Sequence, residues 1–266
     1  SPVPMLSSQM WQLVRAVADR AGGSAADVIR LAVPNRHVRV EKSFLAHEHG
    51  VQRLLTEDAA RSIEVLPEYI RARAQQLTRG ERIALEVRHA PVRLDTGEWV
   101  SAWAHEIAQT ALAVHASGRS VIIQVPDYRD LDQVDDTLTA FGVDVHVRLD
   151  SRQSAADRYL NFLRAHEPQP TILLGNRSTI YAPAYELGAI LMWDDGDQLY
   201  SEPLSPYVHG RDAALIRAQQ NDAGLLFASH MHSGEVERLI GLGYVAPEQV
   251  TGPRPRIIHS GSLTHA

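Results

Sequence analysis

The sequence has 266 residues, of which 44% are hydrophobic and 22% are charged, as in ordinary globular proteins and unlike disordered, collagen-like or coiled-coil chains. With 26 basic and 32 acidic side chains, its net charge of −6 argues against a broadly basic nucleic-acid-binding surface. The absence of cysteine excludes disulfides, thiolate catalysis and cysteine-based zinc sites within these residues.

The first forty residues predict two helices and an extended exit. Five apolar residues share one face of the first helix, and Gly22-Gly23 ends it. Ser24 can cap the second helix, and Pro34 stops it. Residues 35–60 show no clear period and are interpreted as a connector, after which a helix is predicted over 68–77. The five apolar residues are Met10, Leu13, Val14, Val17 and Ala18.

From residue 81 onward, short apolar strands alternate with helices. This alternation is typical of a parallel sheet with helices on both faces, in which ligands bind at the carboxyl ends of the strands. The predicted strands are 83–87, 120–125, 143–147, 171–175, 187–193 and 224–228. The predicted helices are 99–116, 130–141, 155–165 and 211–220.

A nucleotide-binding sheet of this kind often uses a glycine-rich loop ending in lysine, which reaches the β and γ phosphates. That loop should follow the first strand, within residues 87–99. The segment contains one glycine, Gly97, and no lysine, and its Asp95 and Glu98 would repel phosphates. The single lysine of the chain is Lys42, upstream of the predicted sheet. The sequence therefore predicts a plain strand-to-helix loop, and it has no G-x-G-x-x-G motif for a dinucleotide.

Acidic residues follow the predicted strand 187–193. Asp194, Asp195 and Asp197 could hold Mg²⁺ through one or two carboxylates and waters, or they could be solvated acids in a turn. Two histidines, His230 and His232, follow the strand 224–228 at a spacing found among metal ligands. A metal-dependent hydrolase that uses these histidines and the three aspartates is therefore an alternative function.

The segment 200–211 is predicted to be a loop with two tyrosines, Tyr200 and Tyr207, followed by Arg211. Aromatic rings and arginines on a loop suit base stacking and phosphate contact. Packing against the protein interior is the other interpretation of the tyrosines.

Several segments resemble, in chain order, the PriA family of replication-restart helicases, and in particular its actinobacterial branch. Residues 175–183 resemble the family motif GTRSALFAP, and residues 187–197 occupy the place of LGLIIVDEEHD. Residues 206–218 are similar to PRYHARDVAVVRA, which ends an aromatic-rich loop in the family. Residues 121–127 resemble the strand VLVLVPE, and residues 26–34 resemble the segment that follows the family's domain for binding DNA 3′ ends.

The departures from the family pattern fall on the elements that handle nucleotide. Trp193 stands in place of the magnesium-binding aspartate, next to Asp194 and Asp195, and Gly196 stands in place of the histidine of DEEH. The phosphate loop is absent, and residues 228–235 keep little of GSATPSLE. The resemblance therefore implies no catalytic residues and no intact nucleotide-binding site, so we expect no ATPase activity.

The resemblance implies a three-layer α/β fold with a RecA-like, mainly parallel sheet of the P-loop-NTPase type. We expect residues 1–40 to be a helical segment following a 3′-DNA-binding domain, and 41–80 a connector reduced from a winged-helix region. We expect residues 81–250 to be a degenerate helicase lobe and 251–266 a peripheral tail. The family's cysteine-rich zinc domain lies in a second lobe, so we expect the chain to be a fragment that covers the first lobe.

The function implied is a non-catalytic, helicase-like, DNA-binding component of replication restart and primosome assembly. We expect single-stranded or forked DNA and primosome or replisome proteins as partners, and a cytoplasmic, nucleoid-associated location. A scaffold that binds only proteins remains the third possibility. No cofactor is expected, neither Mg-ATP nor zinc, and no membrane partner, because no stretch approaches ~20 apolar residues. The DNA-contact candidates are Arg177, Ser178, Tyr200, Tyr207 and Arg211.

Overall fold

The structure is a computed structural model that describes residues 5–46, 56–143 and 146–248. The predicted tail 251–266, part of the predicted connector 41–80 and two residues of the predicted strand 143–147 lie outside the described residues.

Five helices precede the sheet, and the first two form as the sequence predicts. The hydroxyls of Ser7 and Ser24 accept hydrogen bonds of 3.2 Å from Met10 N and Asp27 N. Such caps satisfy amides that have no partner within their own helix. The sequence does not predict the third and fourth helices, because the apolar residues there show no clear period. The five are α1 (Ser8–Ala21), α2 (Ala25–Ala32), α3 (Val38–Ala46), α4 (Glu57–Glu64) and α5 (Glu68–Thr78).

The seven-stranded sheet has the order β5-β6-β4-β7-β8-β1-β9, and all of its strand pairs are parallel. This confirms the predicted three-layer, RecA-like α/β fold. The strands are β1 (Arg82–Glu86), β2 (Pro91–Arg93), β3 (Trp99–Ser101), β4 (Ser120–Gln124), β5 (Val147–Leu149), β6 (Ile172–Gly175), β7 (Leu187–Trp193), β8 (Gly224–Ser229) and β9 (Ala246–Glu248). The helices are α6 (Ala102–Ala116), α7 (Tyr128–Ala140), α8 (Ala155–Ala165), α9 (Gly210–Asn221) and α10 (Gly234–Gly241), with two 3₁₀ helices, Arg177–Tyr181 and Gln198–Tyr200.

The central strands are buried on both faces, which explains their continuous apolar runs. Every residue of β4 and β7 is buried. Along β4, Val121 and Ile123 pack into one core with α6 and α7, and Ile122 packs into the other core with α1 and α9. This alternation follows from the two-residue period of a strand.

Two of the sequence-based boundaries are wrong. The strand predicted over 143–147 shares only Val147 with β5, and the described residues Val143 and His146 lie outside any strand. The predicted helix 99–116 begins with strand β3, and α6 starts at Ala102. β2 and β3 form a separate antiparallel pair, in which Val92 lies opposite Val100. Trp99 is exposed and Val100 is buried, so the segment has the two-residue period of a strand before the helical period begins.

Ion pairs and close contacts join the early helices to the sheet. Arg73 of α5 is buried, and it donates from Nε to Glu248 Oε2 of β9 and from Nη2 to Glu106 Oε1 of α6, both at 2.7 Å. In the turn between α1 and α2, a side chain at Gly23 would clash with Pro206. None of the described helices is long and apolar enough to cross a membrane.

Candidate nucleotide and DNA site

The segment after β1 folds into the β2–β3 hairpin, at the place where a nucleotide-binding protein of this fold has its phosphate loop. Gly97 closes the turn of the hairpin with φ of +95°, a conformation that favours glycine. Gly97 N donates to Leu94 O at 2.9 Å. The one glycine of this segment therefore serves the hairpin turn, and its amide is not free to bind a phosphate.

The first amides of α6 also have acceptors within the protein. Ser101 N donates to Gln133 Oε1 at 2.9 Å, and Ala102 N donates to Ala90 O at 2.8 Å. In phosphate sites, the amides at the N-terminus of a helix point at the ligand. A phosphate at this end of α6 would have to displace both of these hydrogen bonds.

Trp193, in the position that the resemblance assigns to a magnesium-binding aspartate, lies in the core with 5% of its surface exposed. Its indole stacks on Trp103 with ring centroids 4.2 Å apart and planes 8° from parallel. The His230 ring meets Trp193 edge-on, 4.9 Å away. An indole has one N–H donor and no oxygen, so it cannot serve as a hard ligand for Mg²⁺.

Asp195 is almost fully buried and is held by two donors. Arg211 Nη1 and Ser233 Oγ each lie 2.7 Å from Asp195 Oδ2. Arg211, itself 8% exposed, also forms an ion pair of 3.1 Å with Glu235. A buried carboxylate needs such partners to offset the loss of water. The sequence-based prediction places Arg211 against DNA, whereas in this structure its guanidinium is engaged inside the protein.

The remaining carboxylates at this edge of the sheet are close enough to repel one another. Burial, followed by the charges of Asp197 and Asp195, raises the pKa of the Asp194 carboxyl. Burial, with Asp127, Asp194 and Asp197 nearby, raises the pKa of Asp130 on α7 to about 6. Both shifts favour the protonated form, and the neighbouring carboxylates add to the larger effect of burial.

Tyr200 is fully buried. Its hydroxyl lies 2.6 Å from Trp193 O and 3.0 Å from Gln124 O, and it donates its one hydrogen to this pair of carbonyls. The hydroxyl therefore joins the ends of the neighbouring strands β7 and β4. The sequence allowed either base stacking or packing for this ring, and its burial favours packing.

Three of the predicted DNA-contact residues reach the surface. Tyr207 is 71% exposed, and Ser178 is exposed at the start of the first 3₁₀ helix. Arg177 is partly exposed, but its Nε donates to Glu202 Oε2 at 2.8 Å and its Nη1 to Leu199 O at 3.1 Å. Its charge is therefore largely balanced within the protein.

The two histidines named for a hydrolase contact different partners. His230 Nδ1 lies 2.7 Å from Val87 O, and the ring stacks on His89 with centroids 3.4 Å apart. His232 Nδ1 lies 3.1 Å from Glu237 Oε1. Within residues 5–46, 56–143 and 146–248, no group of three or more histidine or acidic side chains is placed to hold a metal ion. The geometry does not gather the proposed hydrolase residues into one ligand set.

Sequence reasoning missed a cleft of about 170 Å³ beside Ser178, between the exit of α2 and α8. Two exposed arginines, Arg30 and Arg158, line this cleft together with Asp150. Asp150 is already paired with Arg148 and Arg152. No single motif marks the cleft, because its arginines come from separate helices that only the fold brings together.

The chain is similar along most of its length to PriA proteins of mycobacteria. A probable replication restart protein PriA from Mycobacterium tuberculosis (strain CDC 1551 / Oshkosh) is 33% identical over 261 residues, covering 97% of this chain and 38% of that protein. A second from Mycobacterium leprae (strain TN) is 31% identical over 265 residues, covering 97% of this chain and 39% of that protein. This chain belongs to the PriA family. It spans well under half of the length of these PriA relatives.

More distant PriA proteins match a shorter part of the chain. The replication restart protein PriA of Haemophilus influenzae is 30% identical over 116 residues, covering 42% of this chain and 16% of that protein. No protein-family model matches the chain.

Similar solved structures include a DEAD box protein from Methanococcus jannaschii, with a TM-score of 0.44, 13% identity and coverage of 74% of this chain and 54% of that chain. RecG bound to a three-way DNA junction has a TM-score of 0.45 and 12% identity, and the match covers 94% of this chain and 30% of that chain.

Proposed function

We propose that this chain is a non-catalytic, helicase-like lobe with a PriA-like role in replication restart, in which it binds single-stranded or forked DNA. The observation that supports it best is the hairpin at the phosphate-loop position, with the α6 amides bonded to Gln133 and Ala90. The family relationship supports the restart role, and the loss of nucleotide-handling groups supports the absence of ATP hydrolysis.

The absence of hydrolysis follows from what phosphoryl transfer requires. It needs amide and lysine donors around the β and γ phosphates, and a magnesium ion held by a carboxylate. Here the amides of Gly97, Ser101 and Ala102 have protein acceptors, the sole lysine is Lys42, and Trp193 replaces the carboxylate. Removing one charge-stabilising group typically lowers turnover by about 10²–10³-fold, and such groups act together.

The DNA site that we propose is the cleft beside Ser178, with Arg30 and Arg158 on its walls. Arg158 has no ion-pair partner within the part of the chain that the structure describes, and Arg30, whose side chain is 70% exposed, is paired with Asp27. Arginines in such positions bind phosphates and hold DNA without reading its sequence. Tyr207, exposed in the same loop region as Leu204, is available for stacking on a base.

The nucleotide part of the proposal is tested by titrating fluorescent ATP into the chain with Mg²⁺ and by measuring phosphate release with and without forked DNA. We expect no saturable binding and no release above buffer. DNA-stimulated phosphate release by the purified chain would overturn the non-catalytic assignment.

The DNA part is tested by fluorescence anisotropy with labelled single-stranded and forked DNA. We expect weak binding that falls as salt rises, because phosphate contacts release counterions. The double variant Arg30→Gln and Arg158→Gln should weaken binding and flatten the salt dependence. The control double variant Arg61→Gln and Arg79→Gln removes two exposed arginines outside the cleft and should bind like wild type.

A protein-only scaffold is the outcome if the wild-type chain shows no DNA binding at low salt, or binding indifferent to salt. The partners we propose beyond DNA are primosome or replisome proteins at a stalled fork, reached in the cytoplasm at the nucleoid. A pull-down between the chain and purified replisome proteins, with and without forked DNA, separates partner binding from DNA binding.

A further inference from the structure

A second cavity of about 330 Å³ lies near the amino ends of the strands, away from the DNA cleft. Its walls come from α1, from the residues that follow α8 and from the segment Pro183 to Glu186 that leads into β7. Met10 and Leu13 of α1 provide an apolar side, while Arg217 of α9 and His166 provide polar groups. Its volume falls at the low end of the range of about 300–1,000 Å³ for small-molecule sites.

Arg217 is a buried cation, 6% exposed, without an acidic partner within the described residues. Its Nη1 donates to Ile180 O, which is its one hydrogen bond to the described part of the protein. Burial lowers the pKa of Arg217 to about 9, so the side chain is still protonated at neutral pH. A guanidinium has five N–H donors, and most of those of Arg217 have no acceptor in the described part of the chain. An unpaired buried charge is strongly unfavourable unless an anion accompanies it.

His166 provides a second polar group that lacks a partner. Its Nε2 is buried and has no hydrogen-bond partner among residues 5–46, 56–143 and 146–248. Burial lowers the pKa of the imidazole to about 4, so the ring is neutral at pH 7. In one tautomer of a neutral imidazole, Nε2 is a hydrogen-bond donor. Arg217 and His166 thus line one cavity, and each carries polar atoms that have no partner among the described residues.

We propose that this cavity binds a small monocarboxylate with an apolar body. The planar guanidinium of Arg217 matches a carboxylate through two parallel N–H···O bonds, and the His166 side chain lines the same cavity. Met10, Leu13 and Pro183 would contact the apolar body of the ligand.

The charge around the cavity favours a single negative charge over a phosphate dianion. Glu167 and Glu186 also line the cavity. Glu186 is paired with Arg119 at 2.8 Å, yet both carboxylates remain near the ligand space and would repel a second negative charge. A monoanion gains the pairing with Arg217 and meets less of this repulsion.

Ligand binding here would also fix α1 on the sheet. Met10 and Leu13 belong to α1, whereas Arg217 belongs to α9, so a bound carboxylate would contact both helices. A ligand that binds only the folded state raises the free energy of unfolding by RT ln(1 + [L]/Kd), so the stabilisation grows with the logarithm of ligand concentration once the site is saturated. This inference is independent of the proposed DNA binding, which uses a different cleft.

The test uses calorimetric titration and thermal unfolding of the full chain with benzoate, with benzamide as its neutral isostere and with inorganic phosphate, at constant ionic strength. We expect saturable benzoate binding and a concentration-dependent rise in Tm, and neither effect with benzamide or phosphate at the same concentration. No benzoate binding, or equal binding of benzamide or phosphate, would overturn the proposal.

Two variants locate the site. Arg217→Met should weaken benzoate binding by at least about tenfold, the factor that corresponds to losing about 1.4 kcal/mol of a charged contact. Ala184→Leu fills the cavity while keeping Arg217, and it should also weaken benzoate binding. This second variant tests the site if Arg217→Met does not fold. Arg15→Met, an exposed arginine of α1 outside the cavity, is the matched control and should bind like wild type. Unchanged binding in Arg217→Met or Ala184→Leu would place benzoate elsewhere and reject the site.

Discussion

The indole rings of Trp103 and Trp193 are stacked 4.2 Å apart and within 8° of parallel. Trp103 lies in the first turn of α6, and Trp193 is the last residue of β7. In a nucleotide-hydrolysing lobe these two elements would hold the phosphate loop and the magnesium ligand. Here the two indole rings are in direct contact, so the space between the start of α6 and the end of β7 is occupied by the protein's own side chains.

The first prediction concerns the stability that this pair provides. Trp193→Ala should lower the free energy of unfolding by about 3–5 kcal/mol, because it removes a large buried ring and leaves a cavity. Urea denaturation followed by circular dichroism measures the change. Trp99→Ala, at a 65% exposed indole, is the control and should change stability by less than about 0.5 kcal/mol. Equal effects of the two substitutions would contradict the packing described here.

The second prediction separates the two tyrosines of the loop. Tyr200→Phe should cost about 1–2 kcal/mol, because the carbonyls of Trp193 and Gln124 lose a shared buried donor. Tyr207→Phe, at an exposed position, should leave stability unchanged within about 0.5 kcal/mol. Thermal and urea unfolding of both variants gives the comparison. A larger loss of stability in Tyr207→Phe than in Tyr200→Phe would contradict the assignment of Tyr200 as the buried ring and Tyr207 as the exposed one.

The third prediction concerns the buried pair of Arg211 and Asp195. Arg211→Met should destabilise the fold by about 3–5 kcal/mol, because it leaves the Asp195 charge buried with one donor, Ser233. Glu235→Gln removes only the exposed partner of Arg211 and should cost less than about 1 kcal/mol. An Arg211→Met variant that folds normally and loses only DNA affinity would contradict this prediction and support the sequence-based DNA role of Arg211.

The fourth prediction is a pH dependence due to Asp130. Its pKa is raised from 3.8 to about 6 in the folded chain, mainly by burial. Above pH 6 the carboxyl is charged in both the folded and the unfolded chain, and the partly buried charge destabilises the folded state. As pH falls from about 6 towards 3.8, the folded state binds the proton while the unfolded state does not, so this destabilisation is relieved. The stability of wild type relative to Asp130→Asn should therefore rise over this interval.

The measurement is urea unfolding of wild type and Asp130→Asn at several values between pH 4 and pH 8. The comparison with the variant is necessary because the pKa shift of the partly buried His166 acts in the opposite direction. Its pKa is lowered from 6.5 to about 4, so its contribution to folding is lost as pH falls through that interval. Asp58→Asn controls for the loss of an exposed carboxylate. A difference between wild type and Asp130→Asn that does not vary with pH would refute the prediction.

Sequence patterns predicted the sheet well where a strand is buried on both faces. Continuous apolar runs mark β4, β6, β7 and β8, because both faces of these strands contact helices. The α3 and α4 helices escaped prediction, since each buries a single residue and so shows no apolar stripe. The β2–β3 hairpin was merged into a loop and helix, although the turn at Asp95 to Gly97 is a recognisable hairpin signal.

The site was less predictable than the fold. Residue type alone suggested that Tyr200 and Arg211 face DNA, whereas their exposure depends on contacts with Trp193 and Asp195 that form only in the folded chain. The cleft with Arg30 and Arg158 joins residues far apart in the sequence, so no local pattern could reveal it. DNA contact by Arg177, Ser178 and Tyr207 stays a prediction.

The β2–β3 hairpin has a consequence for attempts to convert this lobe into an ATPase. A lysine and glycines introduced one at a time would enter a segment whose turn, strand pairing and helix-start hydrogen bonds are already formed. Each such change would weaken the hairpin before any phosphate-binding loop existed to compensate. Point substitutions therefore pass only through less stable intermediates, and a transplanted loop that replaces residues 88–101 as one piece is the route that avoids them.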